Sequence, residues 1–191
     1  MKKCIVILAV VLLGGIVSAQ TFQVGPKAGV NISNFTNGVG SESNTLVGFH
    51  VGGFVSFLFG KSLAIQPEVL FSTQGAKYDD VNAAVKDFKA NYLNIPVVAQ
   101  LRMSGGLYLE TGPQIGILLS AKSDDESVKD LYNSLDWSWA FGLGLRSKMG
   151  LGVSARYNLG LTKVEDNLNS LQPNGKNSVI QLGLFYAFGG Q

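Results

Sequence analysis

Between Val24 and Phe188 the chain falls into a two-residue rhythm eight separate times, an apolar side chain alternating with a small or polar one. Successive side chains of a strand point to opposite faces, so this period predicts β-strands. The runs are 24–34, 47–57, 63–74, 92–102, 107–120, 137–146, 151–162 and 180–188. Each reaches the ~9–11 residues that a tilted strand needs to cross a membrane. Their connections alternate in length. Phe59-Gly60-Lys61, Met103 to Gly106 and Lys148-Met149-Gly150 are tight turns, whereas residues 36–45, 77–90, 121–136 and 163–178 are long links. Short turns at one end and long loops at the other describe an antiparallel up-and-down meander. An even strand number returns both ends of the meander to the short-turn side.

The first residues follow a different rule. Lys2 and Lys3 precede an apolar stretch from Ile5 to Val17, and Val17-Ser18-Ala19 supplies small residues for a cleavage site. This predicts a signal peptide over 1–19 and a mature chain over 20–191. The stretch falls short of the ~20 apolar residues of a membrane-spanning helix. The single cysteine, Cys4, lies within it, and there is one histidine, so disulfide frameworks and Cys/His zinc clusters are excluded. Loss of Lys2 and Lys3 leaves thirteen basic residues against thirteen acidic. A near-neutral chain offers no electrostatic basis for nucleic-acid binding.

Alternation fits a soluble lipocalin-like barrel as well as a membrane barrel. Three features favour the membrane. The apolar face is continuous over all eight runs. The opposite face is glycine-rich, and only 15% of the chain is charged, below the ~25–35% usual for a wetted surface. Aromatic residues gather near strand ends, with Trp137 and Trp139 below a long link and Phe57, Tyr186 and Phe188 near the short turns, as in two interfacial belts.

The last run, Gln181-Leu182-Gly183-Leu184-Phe185-Tyr186-Ala187-Phe188, resembles the signal that bacterial outer-membrane barrels present to their insertion machinery, although Gly189-Gly190-Gln191 follow it. Val24-Gly25-Pro26-Lys27-Ala28-Gly29-Val30-Asn31 is similar to the "G-x-K-x-G-x-N" first strand of the PorT-like outer-membrane β-barrel family of Bacteroidetes. Leu93-Asn94-Ile95-Pro96-Val97 resembles its "L-x-I-P-V" fourth strand. The resemblance implies a Gram-negative outer-membrane protein without assigned activity, some members being linked to secretion and gliding.

Two parts of the chain carry groups that could serve a function. On the inward face Lys27, Arg102, Arg146 and Arg156 meet Glu68 and Glu110. An isolated charge in a narrow lumen is costly, so these six predict a salt-bridged polar plug, completed by Gln66, Gln100, Gln114, Asn94 and Gln181. The competing reading is an anion-preferring channel, since the set is net basic. His50, with Ser33, Ser72 or Glu68, is the only candidate for a lipid-modifying Ser–His–acid site, and no spacing specifies that geometry. No catalytic, cofactor or metal residues are assigned.

The long links are the second place. Ser123-Asp124-Asp125-Glu126 reads as a helix capping box followed by Val128, Leu131, Tyr132 and Leu135 at helical spacing. Val81, Val85 and Phe88, and Val164, Leu168 and Leu171, repeat similarly. Short amphipathic helices over the barrel mouth are expected, either packing on each other or docking a protein, glycan or ligand. Asp79, Asp80, Asp124, Asp125 and Glu126 could attract divalent cations without forming a dedicated metal site. The partners expected are membrane lipid, the insertion machinery and an unidentified extracellular or periplasmic protein.

Overall fold

The computed structural model describes residues 22–36, 43–78, 86–123, 126–127, 135–161 and 176–189. The expected signal peptide, Cys4, Asp79, Asp80, Asp124 and Asp125, and most of the three helical stripes lie outside the described residues. The elements are β1 (Phe22–Thr36), β2 (Ser43–Phe59), β3 (Leu63–Tyr78), β4 (Lys86–Arg102), β5 (Leu107–Ser123), β6 (Glu126–Ser127), β7 (Leu135–Arg146), β8 (Leu151–Gly160) and β9 (Lys176–Tyr186). Eight long strands pair antiparallel in the order β4-β3-β2-β1-β9-β8-β7-β5, and pairing of β4 with β5 closes the ring. The expected eight-stranded up-and-down barrel is therefore the fold. Closure is what permits such a sheet in lipid, because no row of backbone N–H and C=O groups is left unpaired.

The alternation resolves into two faces. Leu109, Val153 and Leu182 are 46%, 49% and 46% exposed, while Glu110 and Arg156 are 4% and 2% exposed. Every barrel strand contributes large exposed apolar side chains, from Phe22 on β1 to Leu184 on β9. An apolar wall of this extent is a lipid-facing surface, far beyond the patches soluble proteins carry. Trp137 and Trp139 are exposed toward the long-link end. At the opposite end the exposed rings of Tyr186 and Phe188 pack with centroids 4.6 Å apart.

The short turns demand backbone that only glycine adopts easily: Gly60 and Gly150 have φ of 69° and 92°. The register shifts between Asn91 and Tyr92, where Leu119 is the extra residue on β5, and again between Thr45 and His50 on β2.

The strands run further toward the long-link end than the alternation implied. β4 begins at Lys86 and takes in Phe88, β7 begins at Leu135, and β5 continues to Ser123, past its last pair with β7 at Ile117↔Leu135. The helix expected from Ser123 is corrected by this. Lys122 and Ser123 pair with Ser127 and Glu126, so the first and last capping-box residues face each other across paired strands instead of opening a helix. Backbone hydrogen bonding along the β5 edge wins over a local helix start.

Candidate functional site

The lumen is filled in layers. Four ionised side chains form the central one. Arg156 Nη1 and Nη2 donate to Glu68 Oε2 and Oε1 at 2.9 and 2.7 Å. Arg156 Nε also donates to Glu110 Oε1 at 2.7 Å. Lys27 Nζ lies 3.3 Å from Glu68 Oε2. Gln66 donates to Glu68 Oε1 at 2.8 Å, and Gln100 to Glu110 Oε2 at 3.1 Å. All four charged residues are buried. They come from β1, β3, β5 and β8, which are every second strand around the ring, so β3 faces β8 and β1 faces β5 across the lumen. The Arg156–Glu68 pair thus spans the bore. Two cations and two anions make the layer neutral, which is how such charges survive away from water. Room for it comes from Gly142, where an added Cβ would lie 2.7 Å from Glu110 Oε1 and 3.0 Å from the Ala155 carbonyl oxygen.

Toward the long links lies a layer of neutral polar groups with Asn31 as its hub. Asn31 Nδ2 donates to Ser72 Oγ at 2.9 Å and to the carbonyl oxygens of Phe49 and Thr73 at 2.9 and 3.0 Å. Its Oδ1 accepts from Gln181 Nε2 at 3.1 Å and lies 2.8 Å from His50 Nδ1. An amide oxygen only accepts, so His50 carries its proton on Nδ1. His50 Nε2 is buried without a partner among the described residues. Ser33 Oγ donates to the Leu46 carbonyl oxygen at 3.1 Å, Ser72 serves Asn31, and Glu68 is held by Lys27 and Arg156. None of the three expected partners joins His50 in a catalytic arrangement.

Toward the short turns the next layer is aromatic. Phe185 packs edge-on against Phe54, with centroids 5.8 Å apart, and against Tyr108 at 6.1 Å. Beyond these rings Arg102 and Arg146 lie outside the ion pairs and converge on Gln23. Arg102 Nη1 donates to Gln23 Oε1 at 3.0 Å and Arg146 Nη1 donates to the same oxygen. Arg102 is further held by Ser56 Oγ at 2.8 Å and Gln100 Oε1 at 3.0 Å. Together these groups enclose a vestibule of about 600 Å³ at the short-turn end.

All six charged residues expected to face inward do so: four form the ion-paired quartet, and Arg102 and Arg146 join it through Gln100, which donates to Glu110 and accepts from Arg102. The alternation left out Gln23, one residue before the first expected strand. It also left Asn31 and the aromatic layer without a role. Inward parity was the signal for all of them.

Residues 18–166 match the profile of the outer membrane protein β-barrel domain family. Among solved structures, Neisserial surface protein A is similar over 90% of this chain and 100% of its own, with 14% identity and a TM-score of 0.55. Ail, the attachment invasion locus protein of Yersinia pestis, solved with the heparin analogue sucrose octasulfate, is similar over 87% of this chain and 99% of its own, with 15% identity and a TM-score of 0.55. The outer membrane protein OprG of Pseudomonas aeruginosa covers 90% of this chain and 96% of its own, with 13% identity and a TM-score of 0.52. At such identities the likeness establishes the fold alone. No curated protein matches the chain.

Proposed function

The chain belongs to the outer membrane protein β-barrel domain family, and we propose that within it the chain is a sealed, non-enzymatic barrel that presents its long-link end to a partner protein. It is an integral protein of the outer membrane. The observation that carries the sealed reading is the Arg156–Glu68 pair, which crosses the lumen and is joined there by Lys27 and Glu110. Eight strands enclose a bore that side chains fill, and these side chains are tied to one another instead of lining a water path.

The absence of enzymatic activity is supported by the same bonds. Both lumen carboxylates are held by cations and amides, and His50 faces an asparagine. A secretion-accessory role is supported by the PorT-like first and fourth strands, which also point to a Bacteroidetes source. In that setting residues 1–19 are removed on export and the strand ending at Phe188 engages the insertion machinery.

Planar-bilayer recording of refolded protein tests the seal, the expected result being no steady conductance. Ohmic steps abolished by Arg102→Ala or Arg146→Ala would replace this proposal with an anion channel. Capture from native membranes with and without residues 124–134 tests the interaction: loss of the partner supports that link as the contact, and unchanged recovery removes it. Lipid turnover lost in His50→Ala would overturn the non-enzymatic reading.

A further inference from the structure

Beyond the aromatic layer, on the far side of the ionic quartet from the long links, the charges no longer balance. The vestibule is lined by Arg102, Arg146 and Lys61, and by no acidic residue among the described ones. Lys27 also reaches it but is neutralised by Glu68. Neither Arg102 nor Arg146 has a carboxylate partner among the described residues. Both instead share the neutral oxygen of Gln23, which brings two guanidinium groups side by side.

Arg102 is held rigidly by Gln23, Ser56 and Gln100. Arg146 donates only through Nη1 among the described residues, leaving its other N–H groups available. Two like charges fixed together in a low-dielectric cleft attract an anion strongly. A planar guanidinium fork fits the paired oxygens of phosphate or carboxylate better than a point cation does. The floor of the same vestibule is apolar, formed by Phe54, Tyr108 and Phe185.

We propose that this short-turn vestibule is a binding site for an organic oxyanion, a phosphate or carboxylate carried on a compact apolar group, with the oxygens on Arg102 and Arg146 and the apolar group on the aromatic floor. In outer-membrane barrels short turns face the periplasm, so the anion comes from that compartment, either as a soluble molecule or as the headgroup of an inner-leaflet lipid. The site does not depend on the partner proposed for the long links, and its failure leaves that reading intact.

Calorimetric titration of the full-length mature protein in phosphatidylcholine nanodiscs, with phenyl phosphate as the probe, tests it. Saturable binding is expected, about tenfold tighter than for inorganic phosphate, the difference being the apolar contact. Arg146→Gln is expected to weaken phenyl phosphate binding by roughly tenfold, and Arg102→Gln with Arg146→Gln by roughly a hundredfold. Heat-modifiable electrophoretic mobility verifies that each variant still forms the barrel. Discs containing phosphatidylglycerol separate the sources: displacement of phenyl phosphate identifies the lipid headgroup, and undiminished binding identifies a soluble ligand, either result upholding the site. No saturable binding by the wild type, equal affinity for inorganic phosphate, or unchanged affinity in the folded double variant would overturn the proposal.

Discussion

Replacing Glu68 by glutamine keeps the side chain's size and removes only its charge, which isolates the electrostatics of the ionic layer. Glu68 attracts Lys27 at 3.3 Å and Arg156 at 2.7 Å. At an effective dielectric constant of about 20, unit charges at those separations attract by about 5 and about 6 kcal/mol. These are gross terms, and much of each offsets the desolvation of the charges themselves. What the variant exposes is the imbalance left behind. Two buried cations would face only Glu110, and breaking a buried pair from one side costs about 3–5 kcal/mol. Glu68→Gln should therefore lower stability by that amount.

The compensating change distinguishes electrostatics from damage to packing. With Lys27→Met added, Arg156 and Glu110 are again one cation against one anion, and the double variant should regain about 1–3 kcal/mol relative to Glu68→Gln alone, within the usual range of coupling between contacting residues. Urea unfolding from lipid vesicles, followed by tryptophan fluorescence, reads both. The emission comes from Trp137 and Trp139, the protein's two tryptophans, which face outward and lose lipid on unfolding. A Glu68→Gln midpoint within about 1 kcal/mol of wild type, or a double variant less stable than the single one, would refute the neutral-layer argument.

Three further outcomes follow from the packing, each read by the same unfolding assay. Leu182→Arg, on the lipid face, should cost about 2–4 kcal/mol; a neutral effect would contradict the orientation of the wall. Gly142→Ala would push a methyl group against Glu110 Oε1 at 2.7 Å and should cost about 1–3 kcal/mol through overpacking, with a stabilised variant as the contrary result. Phe185→Ala removes the ring that Phe54 and Tyr108 both pack against and should cost about 3–5 kcal/mol; a loss below about 1 kcal/mol would mean that the aromatic layer does not support the fold.

What was legible in the sequence was parity. A side chain's face follows from counting by twos, so the outward position of Leu109 and the inward positions of all six charged residues could be read directly. Height along the barrel axis could not, because it depends on how each strand is staggered against the next. On β4 and β5, Gln100 sits opposite Glu110 and Arg102 opposite Tyr108, one step nearer the short turns. That step keeps Arg102 out of the ion pairs and leaves Gln100 as its link to the quartet, and the register alone reveals it. Gln23 escaped because its place before Val24 looked like the approach to a strand, whereas β1 begins at Phe22. The Ser123–Glu126 pattern misled for another reason: a local capping signal is weak beside a ladder already formed by β5.

The charge signs around the ring support the sealed lumen proposed above. Lys27 and Arg156 stand on β1 and β8, Glu68 and Glu110 on β3 and β5, so one half of the wall is positive and the other negative. Had each pair formed between neighbouring strands, the charges would line the wall and leave the axis open. Placed on opposed strands, Arg156 and Glu68 can neutralise each other only by reaching across, and their 2.7 Å contact fixes the bore at the combined length of the two side chains. A wider, water-filled cylinder would leave these ions unpaired in the barrel's interior, so the contacts within this layer support the proposed seal. Because the layer is neutral, it projects little field toward either end. The unbalanced pair toward the short-turn mouth, Arg102 and Arg146, is then the charge that the proposed ligand would meet inside the vestibule.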